Sequence, residues 1–255
     1  MNLFKKHLVI PFIAIVLLVS ACGEMKEEIV IEKDGSGTYE MSFDMIPMMR
    51  GMMTGFAAMA AEEGEEMDST EIAAKVEEMI WKDFQGEVDT VMDITNRLPP
   101  EVTEDPQKMA IASNMEVFMK GGKAQGYLLS GIKYDFDDAK GLEDFYELYQ
   151  NEGGKTDPKM QMLMGNSESE IRITSNSFYR SYQSTGKSEE IDLNQFNKMF
   201  EGVSVTTVFR APKKIKDVKV KNFEIVSRDG NRVTLKYNLM DAMSSGEPVE
   251  MEIRW

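Results

Sequence analysis

Two periodicities alternate along the chain, and from Ile29 onward they divide it into strands and helices. Ile29–Lys33 and Thr38–Asp44 flank Asp34-Gly35-Ser36-Gly37, and Tyr39, Met41 and Phe43 alternate with polar residues. Glycine tolerates the positive φ of a tight turn, so this reads as a β-hairpin. Met45–Ala61 places Met45, Met48, Met49, Met52, Phe56 and Met59 at spacings of three and four, a helical stripe weakened by Gly51 and Gly55. Asp68, three residues before Glu71, forms a capping-box pattern for a helix to about Phe84, with Ile72, Val76, Met79 and Ile80 on one face.

Glu87–Thr95 alternates as a half-buried strand, and Pro99-Pro100 ends that region. Gln107–Ser113 reads as one or two helical turns. Met115–Lys120 and Gln125–Phe136 read as a hairpin across Gly121-Gly122. Asp138 caps a helix with Leu142, Phe145, Tyr146 and Tyr149 at i, i+3, i+4 and i+7, and Asn151–Glu168 reads as a loop. The remainder is mostly strand: Glu170–Thr174, Phe178–Gln183, Val203–Phe209, Val218–Val226, Arg232–Tyr237 and Val249–Trp255, with a short helix over Asp192–Phe200. Within Val218–Val226 the inward phase shifts, which predicts a β-bulge near Asn222. A strand that reaches Trp255 predicts a C-terminus tied into the sheet. The order predicts an α+β fold, a largely antiparallel sheet with several helices packed on one side.

The first 28 residues carry a different pattern. Lys5 and Lys6 precede the apolar run Leu8–Val19, which small residues close at Ser20-Ala21-Cys22. Twelve apolar residues interrupted by Pro11 are too few to span a bilayer, which takes about 20. The tetrad Val19-Ser20-Ala21-Cys22 resembles the lipobox of bacterial lipoproteins. That resemblance implies cleavage between Ala21 and Cys22 and a diacylglycerol on the Cys22 sulfur. The implied organisation is a cleaved signal over 1–21, a lipidated tether over 22–28, and a single α+β domain over 29–255 with a potential subdivision near 100 or 200.

Composition changes the functional picture more than the fold. Removal of the signal takes 29 basic residues to 27 against 44 acidic ones, a side-chain charge of −17. Such a charge argues against nucleic acid as a partner and against anionic lipid. The sole histidine, His7, leaves with the signal, and the sole cysteine, Cys22, is spent on lipid. Ser–His and Cys–His nucleophilic systems, Cys/His zinc sites and intramolecular disulfides are thereby excluded from the processed chain.

The remaining constellations weigh toward structure. The methionine stripe fits Cu(I) chemistry, but its helical period fits a core filler better. Asp135, Asp137 and Asp138 with Glu143 and Asp144 imitate a calcium loop until positions five and six, which are Ala139 and Lys140. Ser184-Thr185-Gly186-Lys187 matches Ser-x-x-Lys outside a helix start. The basic run Lys213, Lys214, Lys216, Lys219 and Lys221 reads as the solvated side of a strand.

Two segments resemble a known family. Ile29–Phe43 (IVIEKDGSGTYEMSF) and Val205–Ala242 (VTTVFRAPKKIKDVKVKNFEIVSRDGNRVTLKYNLMDA) are similar to the LppM-like domain of exported lipoproteins. The resemblance implies a strand–DGSG–strand opening to an α+β domain and no catalytic site. Lys26-Glu27-Glu28 also resembles the acidic surface-export signal of some diderm lipoproteins, which implies the outer membrane or the cell surface. Three functions remain open: a non-enzymatic, lipid-anchored envelope protein that binds a protein or small ligand; an envelope glycoside hydrolase using two carboxylates; and a methionine-based copper binder. No catalytic, cofactor-binding or metal-binding residue is assigned, and no cofactor.

Overall fold

A computed structural model of the protein describes residues 23–51, 69–82, 84–92, 98, 100–156, 167–184 and 202–255. Among the described residues, twelve strands form two sheets. The larger follows the order β10-β11-β8-β1-β2-β5-β4-β3 and the smaller β6-β7-β12-β9. The strands are β1 Glu24–Ile31, β2 Gly37–Asp44, β3 Val88–Met92, β4 Met115–Gly122, β5 Tyr127–Phe136, β6 Ser167–Thr174, β7 Ser177–Ser184, β8 Ser204–Arg210, β9 Asp217–Lys221, β10 Glu224–Asp229, β11 Arg232–Asn238 and β12 Val249–Arg254. The helices are α1 (45–51), α2 Ser69–Trp81, α3 Pro100–Thr103, α4 Pro106–Ser113, α5 Ala139–Thr156 and α6 Leu239–Ser245. The class is α+β. Its strands pair antiparallel throughout, except where β1 and β8 run parallel.

The opening hairpin forms as its sequence predicts. Asp34 Oδ1 accepts from the Ser36 amide and hydroxyl at 3.1 and 2.7 Å, and Gly35 takes φ +93°. Gly37 starts β2 because a Cβ there would lie 1.9 Å from the Val30 carbonyl oxygen. Asp44 then accepts from the Ile46 amide at 3.1 Å and starts α1.

Alternation gives each sheet one apolar face, and the two faces meet. Ile29, Ile31, Tyr39, Phe209, Val233 and Leu235 of the larger sheet pack with Phe178, Met251, Ile253 and Trp255 of the smaller. The rings of Phe178 and Trp255 lie 4.8 and 5.9 Å from that of Phe209. Helix α5 shares the same face. Phe145 stacks on Tyr134 at 4.6 Å and contacts Tyr39 at 5.1 Å. A second cluster joins α1 and α2 to β5 through Ile46, Val76, Ile80, Trp81 and Leu128. The C-terminal strand lies between β7 and β9, as the alternation to Trp255 predicts.

Several expectations are corrected. Residues 24–28 are not a tether: Glu24 already begins β1, paired with both β2 and β8. Edge-to-edge pairing on both sides overrides the polar character of that stretch. The span Val218–Val226 is two strands that part at Asn222, and the register shift it contains lies in β10, between Ile225 and Ser227. Asn222 adopts φ +58°, a conformation asparagine tolerates, and the chain crosses there from the smaller sheet to the larger. Gly121-Gly122 do not form the β4–β5 turn; they remain paired with Leu128 and Tyr127, and residues 123–126 turn instead. Residues 151–156 are helical, since α5 continues through Gly153-Gly154 to Thr156. Helix α6 was not expected. Asp68, Met52, Phe56, Met59 and the helix expected over Asp192–Phe200 lie outside the described residues.

Candidate functional site

A polar cluster sits where the apolar faces of the two sheets meet. Glu27 occupies the inward row of β1 between Met25 and Ile29, at a position its neighbours reserve for apolar side chains. Arg180 does the same on β7, between Phe178 and Tyr182. Glu27 and Arg180 are 5% and 8% exposed, and among the described residues they are the buried charged side chains. They form an ion pair that bridges the sheets. Thr207 on β8, opposite Glu27 in the parallel register, donates to Glu27 Oε2 at 2.8 Å. Tyr146 on α5 donates to Glu27 Oε1 at 3.1 Å. Arg180 in turn donates to the Tyr146 oxygen at 3.2 Å and the Thr207 hydroxyl at 3.4 Å.

Electrostatics keep this cluster charged. Burial alone would raise the Glu27 carboxyl. The Arg180 charge and the hydrogen bonds from Arg180, Thr207 and Tyr146 outweigh it, and the group is held below the usual carboxylate range. Burial opposes the Arg180 charge as well, yet the Glu27 carboxylate drives Arg180 well above its ordinary value. Burial, aided by Glu27, raises Tyr146, so its hydroxyl stays protonated and donating. The cluster ties four elements together: β1 through Glu27, β7 through Arg180, β8 through Thr207 and α5 through Tyr146.

Two surface grooves carry carboxylates. One, of about 490 Å³, runs past Arg50, Glu77, Trp81 and Lys123. Glu77 there is paired with Arg50 and accepts from the Trp81 indole at 3.0 Å. Trp81 is 5% exposed and offers no ring face to a sugar. The other, of about 230 Å³, is lined by Asp105, Asp144 and Glu147 without an aromatic neighbour. Asp105 caps α4 through the Gln107 and Lys108 amides, and Asp144 binds Lys140 and Gln107.

The residues singled out in the sequence are dispersed. Val19, Ser20, Ala21 and Cys22 lie outside the described residues, as does the Lys187 end of Ser184–Lys187. Asp138 caps α5 by accepting from the Gly141 amide at 2.8 Å. Asp135 pairs with Lys133 at 3.0 Å. Lys219 and Lys221 lie on the solvated side of β9 and pair with Glu252 and Glu247. Met45 and Met49 pack on the Ile46–Trp81 cluster, and Met48 on Val205 and Leu239. Among the described residues, no group of three or more His, Cys, Asp or Glu side chains is placed to hold a metal ion. No described helix is long and apolar enough to cross a membrane.

Sequence reasoning missed Glu27 and Arg180 as partners. The available signal was a charge at the inward phase of each strand, opposite in sign, where an isolated buried charge would be untenable. No protein-family model matches the chain, and no curated protein matches it. Among solved structures the chain is similar to the folded domain of the Mycobacterium tuberculosis LppM protein, determined by NMR. The TM-score is 0.40 at 10% identity, covering 91% of this chain and 90% of that one.

Proposed function

We propose that the protein is a cell-envelope lipoprotein, held to a membrane by lipid on Cys22, whose body binds a partner without catalysing a reaction. The observation that carries this reading is the tetrad Val19-Ser20-Ala21-Cys22, which closes the 12-residue apolar run Leu8–Val19 and contains the chain's one cysteine. The non-catalytic part draws support from the interior. The buried charges of the described residues are committed to each other and to two hydroxyls, in a cluster that joins both sheets. The processed chain has no histidine or free thiol to supply a nucleophilic pair.

Metabolic labelling with an alkyne-bearing fatty acid, followed by intact mass, tests the anchor. The expected product begins at Cys22, carries acyl mass and partitions into detergent; Cys22→Ser abolishes both the label and the partitioning. An unacylated product cut elsewhere would overturn the reading. Turnover by the purified body across hydrolase substrates would overturn its non-catalytic part.

A further inference from the structure

We propose that the end of the body from which β1 starts is a lipid-contacting surface, with a methionine cluster seated in the interfacial layer of a zwitterionic phospholipid bilayer. The inference rests on the lipid-anchored reading of Cys22.

Gly23 is already part of the body. Its carbonyl accepts from the Ser204 amide at 3.2 Å, and Val203 Cγ2 lies 3.4 Å from where a Gly23 Cβ would sit. Cys22 is the next residue, so its Cα lies about 3.8 Å from that of Gly23. The polar layer of one leaflet is about 5–7 Å deep, half the difference between the full bilayer and its hydrocarbon core. A diacylglycerol thioether on Cys22 puts only the sulfur and Cβ between the glycerol and the Cys22 Cα, so Gly23 and Val203 are held at the level of the headgroups. The body cannot stand off; the end that carries Gly23 has to rest on the lipid.

The chemistry of that end matches its placement. The starts of β1, β8 and α6, the end of β11 and α1 converge on a cluster with Val205 and Leu239 buried beneath it. Met25, Met48, Val203, Tyr237, Met240 and Met243 cover those two residues and remain half-buried. Four of the six are methionines, unbranched and polarizable, which adapt to an irregular apolar neighbour such as acyl chains and glycerol. Exposed Glu24 and Asp241 flank the cluster and would be repelled by anionic headgroups, which selects a zwitterionic surface.

Acylation of Cys22 leaves any introduced cysteine as the single free thiol, which provides the test. Met243→Cys is labelled with an environment-sensitive nitrobenzoxadiazole in the processed, lipidated protein and reconstituted into phosphatidylcholine vesicles. Lys33→Cys, exposed beyond the far end of β1 and about 23 Å or more along the strand, serves as the water-facing reference. Met48→Cys replaces Met243→Cys if the latter does not fold. The expected result is blue-shifted emission at 243, quenched several-fold more by spin-labelled lipid than emission at 33. Acylated, vesicle-bound protein whose label at 243 behaves like that at 33 would overturn the inference alone. So would a label at 243 shielded equally in detergent-free, unacylated protein that elutes as a dimer, since a second copy would then be the occupant. Absence of acyl mass on Cys22 would overturn the anchor reading and the inference together.

Discussion

Replacing Arg180 with methionine should cost the body about 3–5 kcal/mol near neutral pH, the range for removing one partner of a buried ion pair. The reason is that Glu27, 5% exposed, would then hold its charge without a counterion. It would keep only the Thr207 and Tyr146 hydroxyls at 2.8 and 3.1 Å. With an m-value of about 2–3 kcal/mol per molar urea, the unfolding midpoint drops by about 1–2.5 M. Trp81 and Trp255, both buried, report unfolding by fluorescence in a chain that starts at Gly23. The pH dependence gives the argument a second handle. In the parent protein the Glu27 pKa is depressed below 4.5, so its contribution is present above pH 4.5 and lost as pH falls through the folded value. In Arg180→Met burial raises that pKa instead, so the penalty grows as pH climbs above 4.5 and shrinks below it. Near pH 4 the difference between the two proteins should fall toward the cost of lost hydrogen bonds, about 1–2 kcal/mol. Glu27→Gln in the Arg180→Met background removes the orphaned charge, keeps an oxygen to accept from one hydroxyl and offers an N–H to the other, and should recover about half or more of the loss at neutral pH. A double variant as unstable as the sum of its singles, with coupling below about 0.5 kcal/mol, would refute the reasoning. So would an Arg180→Met penalty that does not change with pH.

Phe209→Ala removes a fully buried ring wedged between Phe178 and Trp255. A loss of about 3–5 kcal/mol is expected, with red-shifted Trp255 emission in the folded state. Gly131→Ala would drive a Cβ to 2.5 Å from the Met41 carbonyl oxygen and 2.6 Å from Phe118 Cζ, in the middle of the larger sheet. It should lower the urea midpoint by an amount worth about 1–3 kcal/mol. Asn238 starts α6 by accepting from the Asp241 amide at 3.1 Å, so Asn238→Ala should cost about 1 kcal/mol, and Asn238→Asp should restore most of it.

The parts of this fold that were legible in the sequence are those governed by neighbours in the chain. Asp34-Gly35-Ser36 closes a turn with its own side chain, and Leu142, Phe145 and Tyr146 mark one face of α5 by spacing alone. The alternation of Val249, Met251 and Ile253 identified a buried strand, but not that it would sit centrally in a second sheet. What stayed hidden depends on partners far along the chain. The parallel pairing of β1 with β8 joins residues about 180 apart, as Glu27 and Thr207 are, and no local pattern announces it. That pairing is why residues 24–28 are strand. Taken alone, Lys26-Glu27-Glu28 is as polar as a linker, and the inward row Met25, Glu27, Ile29, Ile31 becomes visible only if a charge is allowed at a core position. Helix α6 escaped for a related reason: seven residues give too little periodicity, although Asn238 followed by Leu239 and Met240 carried a cap signal.

Strand β1 connects the interior cluster to the proposed anchor, and its position explains why both belong on it. Cys22 lies two residues before Glu24, where β1 begins, and Glu27 lies three residues farther on. On the lipid-anchored reading, any displacement of the body relative to the membrane pulls on β1 along its own axis. A load along the axis of a strand is shared in shear by its ladder hydrogen bonds, and a strand at a sheet edge has only one ladder to share it. Strand β1 has neighbours on both sides, with seven residue pairs in register to β2 and seven to β8. Sliding it by one residue would turn Ile29 and Ile31 out of the core and Lys26 and Glu28 into it. It would also break the Glu27–Arg180 pair, the contact that ties the strand to the opposite sheet. A buried pair of this kind adds little net stability over an apolar core, but it penalises a register slip far more than a leucine at position 27 would. On the lipid-anchored reading the ion pair would act as a register lock on the strand that carries the anchor, a role that rests on its place in β1 rather than on its contribution to overall stability.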